Sequence, residues 1–87
     1  MELLQQIGES LQRGDHEQVA ELTQQAIDAD LSATQILNEG LMAGMDVVGQ
    51  RFGAHEIFLP ELLLAARAMN AGIDLLKPMF LGGEMPT

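Results

Sequence analysis

Apolar residues return along this chain every three or four positions, the spacing of a helix face, and no segment alternates with the period of two that marks a half-buried strand. Leu3, Leu4, Ile7 and Leu11 predict a short first helix, and Gly14 after Arg13 offers its stop. Asp15 is placed to cap a second helix, with Glu17 favourable in its first turn and Val19, Leu22, Ala26 and Ile27 as its inner stripe. Ser32-Ala33-Thr34-Gln35 reads as a capping box that opens a third helix, whose stripe is Leu37, Leu41, Met45, Val48 and Phe52, with Gly53 as the stop. Pro60 belongs in the first turn of a fourth helix, with Leu59, Leu62, Leu63, Ala66, Met69, Ile73 and Leu76 as its stripe and Pro78 at its end. The expected spans are about residues 2–13, 16–29, 33–52 and 60–77. Short joins make this an all-α, four-helix antiparallel bundle of two helical hairpins, with the long third and fourth helices at its structural centre.

Three features depart from plain bundle design. Gly8 interrupts the first helix, and Gly40 and Gly44 lie four apart in the third, where each costs about 1 kcal/mol relative to Ala; close approach of helices is one reason to keep them. The connection Phe52-Gly53-Ala54-His55-Glu56-Ile57-Phe58-Leu59-Pro60 puts large apolar side chains where exposed backbone usually attracts polar ones. Either they staple the hairpin end together, or they form a hydrophobic rim for a flat ligand.

Composition narrows the function classes. Hydrophobic residues make up 47% of the 87, with six Met but no Trp, Tyr or Cys, so the core is aliphatic and neither disulfides nor thiolate metal sites are available. That cysteine usage fits a cytoplasmic protein. Thirteen acidic against four basic residues give a net charge of −9, which disfavours nucleic acid and anionic membranes as partners. Eight of the acidic residues fall in positions 1–39, where Arg13 is the lone base, so the second half is the more apolar one. No apolar run approaches the roughly 20 residues of a membrane span, and no signal-peptide pattern opens the chain.

Candidate chemistry is sparse. His16 and His55 share no ligand spacing and are assigned surface or capping roles. Asp28, Asp30, Ser32 and Glu39 fall at calcium-loop positions, yet Ala33 stands where such a loop needs Gly, and a helix cap explains the segment. No nucleophile has a base partner and no glycine-rich phosphate loop follows a strand, so the module is expected not to be an enzyme.

The run Glu39-Gly40-Leu41-Met42-Ala43-Gly44-Met45-Asp46-Val47-Val48-Gly49-Gln50-Arg51-Phe52, then Ile57-Phe58-Leu59-Pro60-Glu61-Leu62 and Ala65-Ala66-Arg67-Ala68-Met69, resembles the helical cap domain of corrinoid (B12-binding) proteins. That domain occurs in cobalamin-dependent methionine synthase and in the cognate corrinoid carriers of methyltransferase systems. The likeness spans nearly the whole chain and is densest over 39–78.

The resemblance implies a helical domain over the upper face of a corrin, with a following Rossmann-like domain supplying the lower ligand. Residues 1–78 would be the cap, and 79–87 would begin a linker to that second domain. The family's Asp-x-His-x-x-Gly cobalt-ligand motif is absent from these residues, so weak or no cobalamin binding by this chain alone is expected. By position in the motif, Phe52, Leu59 and Leu62 resemble the family's apolar contacts to the methyl-bearing face, with Phe58 and Met45 as secondary candidates that are expected in the core. The implied partners are the corrinoid cofactor, a substrate:corrinoid methyltransferase and a methyl-accepting methyltransferase. A start at Met1 suggests a free-standing carrier. A helical protein-interaction or regulatory adaptor is the alternative reading, and sequence beyond Thr87 would separate the two.

Overall fold

A computed structural model describes residues 2–80 of the chain. Four helices follow in order: α1 (Glu2–Gln12), α2 (His16–Asp28), α3 (residues 33–53) and α4 (Leu59–Pro78). Among the described residues there is no strand. α3 is one continuous coil of three parts: an α turn Ala33–Gln35, a π segment Ile36–Met42 and an α stretch Ala43–Gly53. The all-α, four-helix bundle expected from the periodicity is the fold observed, and each boundary lies within a residue of its expected place.

Local chemistry sets these boundaries. The Asp15 carboxylate accepts from the Gln18 N–H at 3.1 Å, and the Ser32 hydroxyl accepts from the Gln35 N–H at 3.0 Å, so both expected caps form. Each of the three connections begins with the same C-terminal device. The residue after the C-cap turns left-handed, its N–H reaches back three residues, and the next N–H reaches back five. Gly14 (φ +72°) does this with bonds Gly14 N–H to Leu11 O and Asp15 N–H to Ser10 O. Asp30 (φ +67°) and His55 (φ +64°) do it after α2 and α3. Gly53, expected as the stop, is instead the last helical residue of α3, and the left-handed turn that closes the helix is made at His55, one of the surface or capping roles expected of it.

The bundle measures 43 × 26 × 18 Å, thin enough for two layers of helices. Contacts are richest between α1 and α3 and between α2 and α4, so the two hairpins pack across one another. The expectation that α3 and α4 form the centre is corrected: α1 touches all three other helices, and it buries Leu4, Ile7, Gly8, Ser10 and Leu11. Glycines make this possible. A Cβ on Gly44 would lie 2.7 Å from Gly8 O and 2.8 Å from Gly8 Cα, so α1 and α3 cross backbone to backbone, and Gly8 is the partner of the Gly40/Gly44 pair.

Two stripes are also corrected. In α3 the π segment buries Ile36, Gly40 and Leu41, leaving Leu37 and Met45 half-buried against the core and Phe52 exposed. A coil closed by i to i+5 bonds turns more slowly than the 3.6-residue period assumed for the stripe. In α4 the buried line is Ala65, Ala68, Gly72 and Leu76, rotated away from the row of leucines. Only a small residue fits at position 72, since a Cβ on Gly72 would sit 2.8 Å from Leu41 Cδ2. Of the large residues taken for the inner face, Leu76 is buried and Leu62, Met69 and Ile73 pack partly against the core, while close packing gives the rest of the line to Ala and Gly. α4 runs through to Pro78 and widens into a π turn at Met79 and Phe80, both partly buried against the core. Residues 81–87 of the expected linker lie outside the described residues.

Candidate functional site

The left-handed turn at His55 folds the chain back from α3, and Glu56 N–H bonds to Arg51 O at 2.8 Å to lock it. Two residues later Phe58 takes the N-cap position of α4, with extended backbone (φ −106°, ψ 168°). Its N–H donates to Glu61 Oε1 at 3.1 Å, which is half of a capping box. The other half is missing, because a phenyl ring cannot accept from the helix amides as Ser, Thr, Asp or Asn would. Pro60 at the second helical position loses no hydrogen bond there.

This arrangement brings large apolar side chains to the surface at one end of the bundle. Phe58 is 74% exposed, Leu63 60%, Leu59 55% and Phe52 39%, while Leu62 is half-buried against the core. Leu59 and Leu63 are one helical turn apart and share a face of α4 opposite the buried Ala65–Ala68–Gly72–Leu76 line. Covering a side chain of this size is worth about 1.5–3 kcal/mol, so a row of them left in water marks a surface that something else covers. Arg51, Glu56, Glu61 and Arg67 are the exposed charged residues of the same stretch.

Of the positions singled out in the sequence, Phe52 and Leu59 are exposed and Leu62 is half-exposed at this end, while Met45 packs against the core. Phe58, assigned to the core, is instead among the most exposed hydrophobic side chains, because the N-cap position points it out of the bundle. Leu63 was read as part of the inner stripe and is likewise exposed. The signal for both lay in the sequence: Ala65, Ala68 and Gly72 repeat at helical spacing and mark the packed face, leaving the leucines on the other. Asp28, Asp30, Ser32 and Glu39 form no calcium loop: Asp28 accepts from Gln24 Nε2 and Ser32 caps α3. Among the described residues no three His, Asp or Glu side chains are grouped to hold a metal ion, and no helix is long and apolar enough to cross a membrane.

The chain is an α-helical bundle with large apolar side chains exposed around the α3–α4 connection. The chain belongs to the B12 binding domain family, which matches it over residues 3–77. It is 38% identical over 78 residues to a corrinoid protein of Desulfitobacterium hafniense, covering 90% of this chain and 36% of that protein. It is 36% identical over 77 residues to the trimethylamine corrinoid protein of Methanosarcina barkeri, covering 88% of this chain and 36% of that one. The solved monomethylamine corrinoid protein of the same organism superposes with a TM-score of 0.90 at 30% identity, over 93% of this chain and 38% of that one. The chain thus spans about a third of the length of these relatives. The resemblance noted in the sequence and the bundle it implied agree with these findings.

Proposed function

We propose that this chain is the helical cap of a corrinoid methyl carrier: it closes over the upper face of a corrinoid held by a neighbouring domain and shields the methyl group there. The observation that carries this reading is the open apolar end, where Phe52, Leu59 and Leu62 sit with Phe58 and Leu63 around the α3–α4 connection. These residues fit the group. An alkyl-bearing corrin face is broad and apolar, and five hydrocarbon side chains offer it van der Waals contact with no polar group to desolvate.

When bound, a corrinoid would supply a cobalt–carbon bond that carries the methyl group and that light cleaves. The part played by this chain is exclusion: Phe52, Leu59 and Leu62 displace water from the reactive face and leave no hydrogen-bonding atom beside it. The cap is not catalytic in this reading. Residues 1–78 form the lid, the segment from 79 onward leads to the domain that binds the lower face, and the lid swings aside for a substrate:corrinoid methyltransferase and for a methyl-accepting enzyme. A cytoplasmic setting suits the cysteine-free sequence. The curated relatives support the reading, since they are named as methylamine and other corrinoid proteins.

The test is the lifetime of the methylated cofactor in a two-domain carrier in which this chain precedes a cobalamin-binding domain. Leu59→Ala and Phe52→Ala should speed photolysis of the methylated cofactor while leaving unfolding of the chain almost unchanged. A large stability loss with an unchanged lifetime would show that these side chains are packing elements and would sink the reading.

A further inference from the structure

We propose that the groove between α1 and α3 is a docking site for a basic amphipathic helix of a partner protein. It is an open groove of about 390 Å³, walled on one side by Gln5, Glu9 and Gln12 and on the other by Glu39, Ala43 and Val47, over a floor of Leu4, Gly8 and Gly44. It shares no residue with the apolar end, and the proposal does not rest on the cap reading.

The geometry suits a helix. Both walls are built from positions three or four apart, so they run parallel to their helix axes for about 12 Å, two turns of a docked helix at about 1.5 Å rise per residue. The floor residues Leu4, Gly8 and Gly44 are buried by the glycine crossing, so side chains from one face of such a helix, at spacings of three and four, would meet chiefly Ala43 and Val47 between the polar wall residues.

Charge selects the occupant. Glu9 and Glu39 are the charged residues of the walls, one on each side, and both are exposed. Arg13, the lone base among residues 1–39, is turned to Ser10, whose hydroxyl accepts from Arg13 Nη2 at 3.2 Å. A groove with a carboxylate on each wall in a chain of net charge −9 repels acidic peptides, nucleic acid and a second copy of itself. It complements a helix that carries Lys or Arg on both flanks of an apolar strip.

The experiment uses the 87-residue chain, labelled with 15N, and a synthetic helical peptide of about 18 residues with Leu on one face and Lys on its flanks, long enough to hold a helix. The control peptide carries Glu in place of Lys. Amide shifts should concentrate at Leu4, Gln5, Gly8, Glu9, Gln12, Glu39, Ala43 and Val47. The double variant Glu9→Lys/Glu39→Lys should weaken binding roughly tenfold or more, raised salt should weaken it further, and Leu59→Ala should leave it unchanged. No binding, equal binding of the Glu peptide, shifts centred on Phe52, Phe58, Leu59 and Leu63, or an unaffected double variant would each overturn the proposal. Because the readout is peptide binding at the groove, its failure leaves the cofactor-lifetime test of the apolar end standing on its own.

Discussion

Backbone conformation at three single residues shapes every connection in this bundle, and two of them are not glycine. Asp30 and His55 hold φ near +65°, a region that costs an L-residue about 1–2 kcal/mol and Gly almost nothing. Asp30→Gly and His55→Gly should therefore each stabilise the chain, by about 1 kcal/mol, in urea unfolding. The glycines on helices divide by surroundings. Gly44→Ala pushes a methyl into the Gly8 backbone and should destabilise by about 1–3 kcal/mol, whereas Gly49 has no neighbour within 4 Å of its added Cβ, so Gly49→Ala should stabilise by about 0.5–1 kcal/mol. Thr23 presents a buried hydroxyl oxygen with no hydrogen-bond partner among the described residues, beside Gly72 where Leu41 also packs. Its isostere Val removes that unsatisfied group, so thermal melts of Thr23→Val should match or exceed the parent.

At the scale of the element, α4 carries two apolar faces that do different work. The face of Ala65, Ala68, Gly72 and Leu76 packs, and the face of Leu59 and Leu63 is open. Unfolding measurements separate them: Leu41→Ala or Leu76→Ala, both fully buried, should cost about 2–5 kcal/mol, and Leu59→Ala or Phe52→Ala about 1 kcal/mol or less. Phe58 is the sharper probe because it breaks a local rule. Phe58→Asp supplies the acceptor that the N-cap lacks and should stabilise α4 by about 1 kcal/mol while shortening the lifetime of a covered methyl–cobalt bond. Gains in both stability and lifetime would mean that Phe58 does not belong to the covering surface.

For the whole molecule, the proposed cap role makes the apolar end of the thin two-layer bundle one side of a site whose other side would lie in a neighbouring domain. A module that offers one apolar face and lacks the Asp-x-His-x-x-Gly cobalt-ligand motif among its residues should bind cobalamin weakly by itself. Spectral titration of the isolated chain checks this. Tight binding, or displacement of the cofactor's own lower base by this chain alone, would mean that it supplies more of the site than a lid does.

Element number and boundaries were legible in the sequence, though the π segment of α3 was not, because caps such as Asp15 and Ser32, the left-handed Gly14 and the spacing of apolar residues act within a few positions of one another. So was the stretch that carries the open end, since hydrophobic residues around Phe52 to Pro60 are out of place in any connection. The inner faces of α1 and α2 were legible as well, but which way α3 and α4 turned was not. Hydrophobic size pointed to the leucines of α4 as its inner face, whereas α4 packs through Ala and Gly, a choice that depends on Leu41 and Thr23 arriving from other helices. The Gly8–Gly44 crossing, the groove it leaves between α1 and α3, and the exposure of Phe58 and Leu63 likewise follow from how the hairpins meet. Periodicity records that a residue is apolar and where it recurs; only the packed partners decide which apolar residues are buried and which remain to cover something else.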